Sequence, residues 1–471
     1  MLVPLSFSLY NADGAATHFG WGLGVTAAAG LLLYVVTRGA RRELQPRDGF
    51  LLVGVVWSGL PAFATIPLLL YFNTAAGAPG LSFTDAYFEM VSGLTTTCAT
   101  LLEGLDALPV SINVWRVLLV WLGGMGIIVL TIAILPLLGV GGMQVYKAET
   151  PGPLKDSKLT PRITETAKGL YAVYLGISAA CFLAYRAAGM SWTDAFIHMC
   201  TTVALGGFSS HDASFGYWNS PLIELIAVCF MLVAGINFAM HFLALKRRSL
   251  RAYVDCPEAR WFVTMVLGGA LLVSLYLWQF GVYDSYRESA RYALFNVVSI
   301  ATTTGYSSVD YGAWPLFAPL LMLLLSSFCT CAGSTGGGIK MIRAVLLIKQ
   351  ARRELVRSVH PRSVAPVRIG GGQVIGSQVL FSVLAFMAMY GTTILILTML
   401  MLSSGLDPVT AFSAVMASMN NTGPGLGNVG PATTYASLND FQTWLCTIGM
   451  LLGRLELLTL LVLFTRMFWR T

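Results

Sequence analysis

The chain has 471 residues, of which 56% are hydrophobic and only 11% are charged. This composition excludes an ordinary soluble globular protein and makes the lipid bilayer the expected solvent. The net charge of +7 could suggest nucleic-acid binding, but the excess Lys and Arg flank apolar segments without interleaved aromatic residues. Membrane topology explains that distribution, so no nucleic-acid partner is expected.

Apolar stretches long enough to cross a bilayer, at roughly 20 residues each, recur along the whole chain. The predicted spans are 17–37, 49–71, 112–139, 165–188, 220–245, 261–281, 314–348, 374–402 and 440–465. The fragment 1–10 is too short to cross, and no small-residue cleavage site follows a basic region there, so no signal peptide is expected. The sequence therefore predicts a multi-pass membrane protein with membrane lipid around it.

The distribution of basic residues predicts the orientation, because Lys and Arg near span ends are retained on the cytoplasmic side. Of the 29 Lys and Arg, 24 fall into five segments, namely 38–47, 147–168, 246–260, 340–368 and 466–470. The alternate connections contain few Lys and Arg and several Asp and Glu. These alternate connections are expected to face outside.

Four of the outward connections share one pattern, a short helical stretch that runs into a loop of small and hydroxyl residues. The loops lie at 95–99, 204–208, 302–306 and 420–424, with matching positions 109, 98 and 118 residues apart. The short helices, here called pore helices, are predicted at 81–95, 191–203, 286–301 and 407–419. If they enter from outside and stop half way, the negative ends of their dipoles favour a cation at the bilayer centre.

Each loop and its flanking spans form a unit of span, pore helix, loop and span. Such a long period does not suit a solenoid and is typical of a duplicated membrane module. We therefore predict an all-α polytopic membrane protein with four pseudo-repeated units around one central pore. The units are expected at 49–139, 165–245, 261–348 and 374–465, after a short leading helical segment at 1–46.

The loops are the candidate cation site, because irregular backbone at membrane depth is tolerated only where it borders protein or water. Their backbone carbonyls can replace the hydration shell of a cation and so act as a selectivity filter. The predicted filter residues are Thr96, Thr97, Cys98, Ala204, Leu205, Gly206, Gly207, Thr303, Thr304, Gly305, Asn421, Thr422 and Gly423.

A glycine-rich run interrupts the second span of the third unit and cannot hold a regular helix. We interpret it as a flexible barrier below the loops; the alternative is a close contact between packed helices. Arg454 lies inside the last span, where a charge costs about 2.5–3.5 kcal/mol, so it is expected to face the pore or to pair with a carboxylate. The predicted gate residues are Gly333, Ser334, Thr335, Gly336, Gly337, Gly338, Lys340 and Arg454.

Other patterns have plainer interpretations. The glycines at 123–126 are expected to permit close helix packing. The run 370–372 follows a basic segment without a nucleotide-binding motif, so it is interpreted as a hinge or linker. Cys329 and Cys331 form the only close cysteine pair and have no nearby histidine, so no metal site is predicted.

Together these motifs resemble the TrkH family, the membrane subunits of bacterial Trk potassium-uptake systems within the Trk/Ktr/HKT superfamily. The resemblance covers nearly the whole chain and rests on the stretches 151–153, 158–162, 206–214, 331–338, 420–427 and 453–456. It implies potassium uptake across the bacterial inner membrane by a homodimer that a cytoplasmic, nucleotide-binding TrkA-type subunit gates. It also implies that 331–339 is the intramembrane gate loop and that Arg454 lies close below the filter.

Two features depart from the family pattern. The amino terminus is shorter by most of one helix. In addition, Cys98 stands where the first loop normally carries glycine, whereas Gly207, Gly305 and Gly423 keep it in the other loops. A residue with a Cβ adopts a left-handed backbone at a cost of about 1 kcal/mol or more, so Cys98 is expected to distort one quadrant. In plant members a serine at this position is associated with sodium permeation, and cysteine is close to serine in size.

A potassium channel or channel-like transporter is the leading hypothesis, because backbone carbonyls provide selectivity without a catalytic side chain. The alternatives are an H+- or Na+-coupled cation symporter, or a pore with reduced K+/Na+ selectivity because of Cys98. A symporter usually has a mid-membrane carboxylate, and only Glu89, Glu224 and Glu456 come near. The sequence does not support a membrane enzyme, because it contains no cluster of Asp, His and Ser residues. It does not support a purely structural protein either, because such a protein would leave the polar loops in lipid. No bound cofactor is expected, with K+ as the transported ion.

Overall fold

The computed structural model describes residues 1–39, 45–74, 80–130, 160–369 and 373–470. The motif at 151–153, the first two residues of the motif at 158–162, the glycine run 370–372 and the end of the predicted span 112–139 lie outside these residues. Over the described residues the protein is predominantly helical. This confirms the predicted all-α polytopic fold.

The helices follow the predicted order of a leading segment and four units. The leading segment and first unit contain α1 (Leu2–Asn11), α2 (Ala16–Thr37), α3 (Pro46–Thr74), α4 (Phe83–Leu94) and α5 (Val110–Val129). The second unit contains α6 (Thr160–Ala187), α7 (Trp192–Ala204), α8 (Pro221–Ala234) and α9 (Phe238–Arg247), and α10 (Arg251–Asp255) follows it.

The third unit contains α11 (Pro257–Gln279), α12 (Tyr286–Ala301), α13 (Phe317–Ser326) and α14 (Met341–Val359). A short antiparallel pair, β1 (Arg368–Ile369) and β2 (Gln373–Val374), connects it to the fourth unit. The fourth unit contains α15 (Ser377–Ser403), α16 (Pro408–Asn420), α17 (Asp440–Arg454) and α18 (Leu458–Leu461), and α19 (Arg466–Trp469) ends the chain.

Helices long and apolar enough to cross a bilayer are found at 16–37, 47–74, 110–128, 167–187, 257–279 and 377–403 among the described residues. Three predicted spans are broken. The glycine-rich run predicted the break in 314–348, whereas the breaks in 220–245 and 440–465 were not predicted. Helices α8 and α9 meet at 91°, and α17 meets the helical stretch 458–464 at 107°. Residues 327–340 separate α13 from α14. Apolar residues such as Ile236 and Leu457 continue through the breaks, so hydropathy alone did not reveal them.

The four pore helices are confirmed at nearly the predicted positions, as α4, α7, α12 and α16. They begin in the same way, because the side chain of each N-cap residue accepts the backbone N–H three residues further on. These N-cap residues are Ser82, Ser191, Ser285 and Asp407. Asp407 is therefore the cap itself, whereas Asp85 and Asp194 lie in the first turn of their helices.

The leading segment packs against the outside of the first two units. The ring of Phe7 in α1 stacks on Phe196 of α7 with centroids 5.8 Å apart. Asp13, between α1 and α2, accepts the backbone N–H of Ser111 at 3.1 Å. The face of α2 at 31–36 is exposed and apolar, as expected for a helix in contact with lipid.

Candidate cation pore and its gate

The four loops have the same backbone turn at the end of each pore helix. Thr96, Leu205, Thr303 and Asn421 adopt left-handed φ angles of 56°, 53°, 60° and 54°. Each donates its backbone N–H to a carbonyl three residues earlier, at 3.0–3.2 Å. Left-handed backbone is uncommon outside glycine, so its recurrence at four matching positions shows that the loops are structural copies.

Two residues beyond this turn, each loop packs on the backbone of another loop. A Cβ added to Gly207 would lie 2.6 Å from the Thr304 carbonyl oxygen, and one added to Gly423 would lie 2.7 Å from the Thr97 carbonyl oxygen. A Cβ on Gly305 would overlap the carbonyl oxygen of Thr422. Loop two therefore packs on loop three, loop three on loop four, and loop four on loop one, each through a glycine.

Cys98 occupies the same position in the first loop and completes the ring of contacts differently. Its φ angle is 60°, which confirms the expectation of a left-handed backbone at a residue that carries a Cβ. Its sulfur points at the second loop and lies 2.8 Å from where a Cβ of Gly206 would be. The backbone N–H groups of Gly207 and Phe208 face this sulfur. The thiol thus fills the contact that glycine makes elsewhere.

The ring positions Cys98, Gly207, Gly305 and Gly423 line one outward cavity of about 620 Å³. We call it the outer cavity. The carboxylate residues Glu103 and Asp212 also line it. Arg116 and His211 line it as well. A cavity lined by the backbones of all four loops suits a cation that approaches from outside.

His211 links two carboxylates at the rim of the outer cavity. Its Nδ1 bonds to Asp106, and its Nε2 lies 3.4 Å from Oδ1 of Asp194. Burial alone would lower the pKa of His211, but the hydrogen bonds and charges of Asp194 and Asp106 raise it above its ordinary value. When it is protonated, the imidazole therefore ties the first outer loop to the second pore helix.

We expect this link to make stability depend on pH. The pKa of His211 is higher in the folded protein than in the unfolded chain. The link therefore adds to the free energy of unfolding in full below pH 6.5, the ordinary pKa, and this stabilisation is lost as the pH rises through the pKa of the folded protein. His211→Gln should therefore lower Tm more at pH ~6 than at pH ~9, where a smaller fraction of the histidine is protonated. His360→Gln, at an exposed histidine with no carboxylate partner among the described residues, should show no such difference. A His211→Gln effect that is equal at both pH values would contradict the link.

Sequence reasoning missed a set of buried polar side chains behind the loops. Glu89, His198 and Asn296 occupy matching positions on three pore helices. Each forms a hydrogen bond with the residues that follow its own loop. Glu89 accepts the backbone N–H of Leu101 at 3.1 Å, and Asn296 accepts that of Ser308 at 3.2 Å. His198 bonds to Ser209 Oγ at 3.0 Å. In the fourth unit Ser413 Oγ accepts the N–H of Leu426 at 2.8 Å. A polar residue at the same offset in apolar pore helices was the signal in the sequence.

Every carboxylate considered for coupled transport is paired with arginine. Fully buried Glu89 lies 2.7 Å from Arg116, whose guanidinium also stacks on Phe208 of the second loop at 4.2 Å. The other two pairs, each at 2.7 Å, are Glu224 with Arg291 and Glu456 with Arg343. An ion-paired carboxylate is a poor mid-membrane proton carrier, because releasing or binding a proton disrupts the pair.

The glycine-rich stretch lies directly beneath the four loops. Thr335 Oγ1 donates to the carbonyl of Val203 at 3.0 Å, and the N–H of Gly337 donates to Thr303 Oγ1 at 2.8 Å. A Cβ on Gly337 would overlap the carbonyl oxygen of Asn420. The stretch therefore contacts the carboxyl ends of α7, α12 and α16. Its glycines do pack closely, but against the ends of pore helices rather than between two spans.

The remaining residues that the sequence predicted for the gate connect this stretch to itself and to its surroundings. Gly333 packs on the side chain of Asn237, and Ser334 Oγ donates to the carbonyl of Cys331 at 2.6 Å. Lys340 Nζ donates to the carbonyl of Gly336. Gly338 approaches the carbonyl oxygen of Ser327 so closely that a Cβ would lie 2.6 Å from it.

Arg454 reaches the same stretch from the fourth unit. It is 3% exposed, and its Nη1 donates to the carbonyl of Thr335 at 2.9 Å. Its Nε and Nη2 have no hydrogen-bond partner among the described residues. Glu456 pairs with Arg343 instead. The structure thus places the Arg454 guanidinium against the glycine-rich stretch, with one hydrogen bond to it and no carboxylate partner in the part of the chain that the structure describes.

Close helix packing by the first glycine motif is also confirmed. A Cβ on Gly123 of α5 would overlap the carbonyl oxygen of Leu94 at the end of α4. Gly453 of α17 approaches the carbonyl oxygen of Met419 near the end of α16 in the same way. The predicted residues therefore form two layers, with the four loops above and the glycine-rich stretch, Lys340 and Arg454 below.

Comparison with known proteins gives concordant results. The model of the TrkH family, described as a cation transport protein, matches residues 17–470. The chain is 47% identical to the Trk system potassium uptake protein TrkH of Halomonas elongata and 45% identical to that of Escherichia coli K12; each alignment covers 100% of this chain and 96% of the relative. The crystal structure of the potassium transporter TrkH from Vibrio parahaemolyticus matches with a TM-score of 0.90 and 42% identity, over 100% of this chain and 96% of that one.

Proposed function

The chain belongs to the TrkH family of cation transport proteins, and on that premise we propose that it takes up potassium across the inner membrane of a bacterium. The observation that supports this most is the ring of four loops. One chain supplies four copies of the same left-handed turn, packed on one another beneath a single outward cavity. This arrangement suits a permeating cation and requires no catalytic side chain.

In this proposal the predicted filter residues of the four loops coordinate K+ through their backbone carbonyls. The pore helices support the site, because each begins with an outer N-cap and directs the negative end of its dipole inward. The four predicted units, 49–139, 165–245, 261–348 and 374–465, each contribute one quarter of this site.

We propose that the stretch 331–339, the gate loop, closes the pore from below together with Lys340 and Arg454. Its contacts with three pore helices support a barrier, as do the two nitrogen atoms of Arg454 that have no partner within the described part of the chain. The protein is proposed to work as a homodimer with a cytoplasmic TrkA-type subunit that moves the gate loop. The word "system" in the names of its relatives fits a transporter with more than one component.

Reconstitution into liposomes tests the proposal. Vesicles that contain the purified protein should take up radioactive rubidium, and external K+ should inhibit this uptake more than external Na+ does. Addition of the regulatory subunit with nucleotide should increase the uptake. Empty vesicles provide the background, and an absence of protein-dependent uptake under either condition would refute the proposal.

The cysteine at position 98 allows a specific prediction about K+/Na+ selectivity. Cys98→Gly should increase the preference for K+ over Na+, because glycine adopts the left-handed angle of 60° without strain and restores the ring found in the other loops. The relief is worth about 1 kcal/mol, so the permeability ratio should change severalfold. Reversal potentials in mixed K+ and Na+ would measure it.

Cys98→Ser is the matched control, because it keeps a Cβ and a polar atom of similar size. This variant should keep a permeability ratio near that of the parent. If Cys98→Gly also keeps the parental ratio, the first loop tolerates cysteine without functional distortion, and reduced selectivity is excluded as a consequence of this residue.

A further inference from the structure

One carboxylate contacts the gate loop at both ends. Glu258, at the start of α11, is 6% exposed. Its Oε1 accepts the backbone N–H of Ala332 at 2.8 Å and that of Ile342 at 3.2 Å. Ala332 lies near the beginning of the gate loop, and Ile342 lies just past its end. The stretch that crosses beneath the pore helices is therefore held between two bonds to a single oxygen atom.

The backbone at both ends needs such an acceptor. Ile342 is in the first turn of α14, where N–H groups have no partner within the helix. A carboxylate at this position also interacts favourably with the positive end of the helix dipole. Glu258 therefore satisfies donors that would otherwise be buried without a bond, a situation that is costly in a protein interior.

The conformation of the gate loop is unfavourable without external contacts. Gly333, Gly338 and Lys340 have left-handed φ angles of 72°, 76° and 78°. Glycine tolerates these angles, but Lys340 carries a Cβ and adopts its angle at a cost of about 1 kcal/mol or more. Bonds from outside the loop must offset this strain while the loop stays beneath the filter.

Two cationic side chains lie near Glu258. Lys340 and Arg343 are the cationic groups that interact electrostatically with Glu258. Arg343 also bonds to Glu456 at the break in the fourth unit, at 2.7 Å. The end of the gate loop is thus joined on one side to α11 and on the other to the fourth unit.

We propose that Glu258 is a positioning residue of the gate, which holds the gate loop closed by anchoring both of its ends to α11. The proposal rests on the proposed function, since a gate has a measurable effect only in a conducting protein. Release of either bond frees one end of the gate loop, and its strained backbone then favours departure from the pore.

Removal of the acceptor tests this role through the flux measured without the regulatory subunit. Glu258→Ala should raise that flux about tenfold, which corresponds to a loss of about 1.4 kcal/mol from the closed state. Glu258→Gln should stay close to the parent, because an amide oxygen can still accept two hydrogen bonds. Glu258→Asp, which is one methylene shorter, should lie between the two.

Glu224→Ala is the matched control. Glu224 is a carboxylate of similar burial, at 3% exposed, whose partner Arg291 lies on α12 rather than on the gate loop. Its removal should leave the flux dependent on the regulatory subunit. An equal rise in Glu224→Ala and Glu258→Ala would overturn the proposal, since the effect would then follow from the loss of any buried carboxylate.

A labelling measurement detects the loop directly. Cys331, next to Ala332, is 1% exposed, and Cys329 is fully buried. In Glu258→Ala, a membrane-permeant maleimide should modify Cys331 faster than in the parent, as measured by peptide mass spectrometry, while Cys329 keeps its parental rate. Unchanged flux together with unchanged labelling of Cys331 would overturn the proposal. If the parent itself does not conduct, the proposed function fails, and the labelling rate still decides whether Glu258 holds the loop.

Discussion

Arg454→Ala should raise potassium flux in the absence of the regulatory subunit by about a hundredfold. The guanidinium is buried, makes one hydrogen bond to the gate loop and leaves two nitrogen atoms without a partner among the described residues. At a distance of about 6 Å and an effective dielectric constant of about 20, such a charge repels a passing cation by roughly 3 kcal/mol. That energy corresponds to about two powers of ten in the rate of passage. Rubidium uptake into liposomes would measure the change.

Two controls separate the charge from general damage. Arg454→Lys keeps a positive charge and should remain dependent on the regulatory subunit. Arg186→Ala removes an arginine that stacks on Trp192 at 4.9 Å, away from the gate, and should leave the flux unchanged. A correctly inserted Arg454→Ala protein with parental flux would show that this residue is not part of the barrier.

Gly305→Ala should abolish most potassium flux and reduce the preference for K+ over Na+. Gly305 has a φ angle of +89°, and a Cβ there would overlap the carbonyl oxygen of Thr422 in the fourth loop. The third and fourth loops would have to separate, which displaces carbonyls from the ring. We expect at least a tenfold loss of flux, since misplaced ligands compensate poorly for the lost hydration of the ion. Reversal potentials and rubidium uptake would measure both effects.

Gly281→Ala is a matched control for Gly305→Ala. Gly281 also has a left-handed φ angle, of +64°, but a Cβ there would meet nothing within 4 Å. Its substitution by alanine therefore adds only the backbone strain, about 1 kcal/mol. If both variants lose flux equally, strain alone explains the effect and the close approach of the loops does not matter.

The sequence predicted the parts of this structure that depend on local pattern. The pore helices were found because loops of small and hydroxyl residues recur after short helical stretches, and the stretch 331–339 was found because its glycines cannot continue a helix. The breaks between α8 and α9 and after α17 were missed, since Ile236, Leu455 and Leu457 preserve the hydropathy of a continuous span. A bend between two apolar helices does not change the average hydropathy of the segment, so hydropathy does not reveal it.

Contacts between distant residues could not be predicted from spacing. Glu258 is 74 residues from Ala332 in the chain, and Arg343 is 113 residues from Glu456. The glycines at the matching positions of the loops are also needed for different physical reasons, which the sequence does not distinguish. Gly305 and Gly423 are needed for left-handed angles, whereas Gly207 does not have one and is needed because its Cβ would lie 2.6 Å from the Thr304 carbonyl oxygen.

The ring of loops has a consequence for how such a protein changes during evolution. In a homotetrameric channel one codon specifies four identical positions, so each mutation alters the whole ring. Here Cys98, Gly207, Gly305 and Gly423 are encoded separately, and a mutation alters one quarter while three quarters keep their geometry. The four ring positions do not tolerate substitution equally, because each glycine contacts a different neighbouring residue. A protein of this architecture can therefore change its ion preference gradually, by substitutions in one loop at a time. The first loop is the place where such a change is easiest, because it already accommodates the side chain of Cys98.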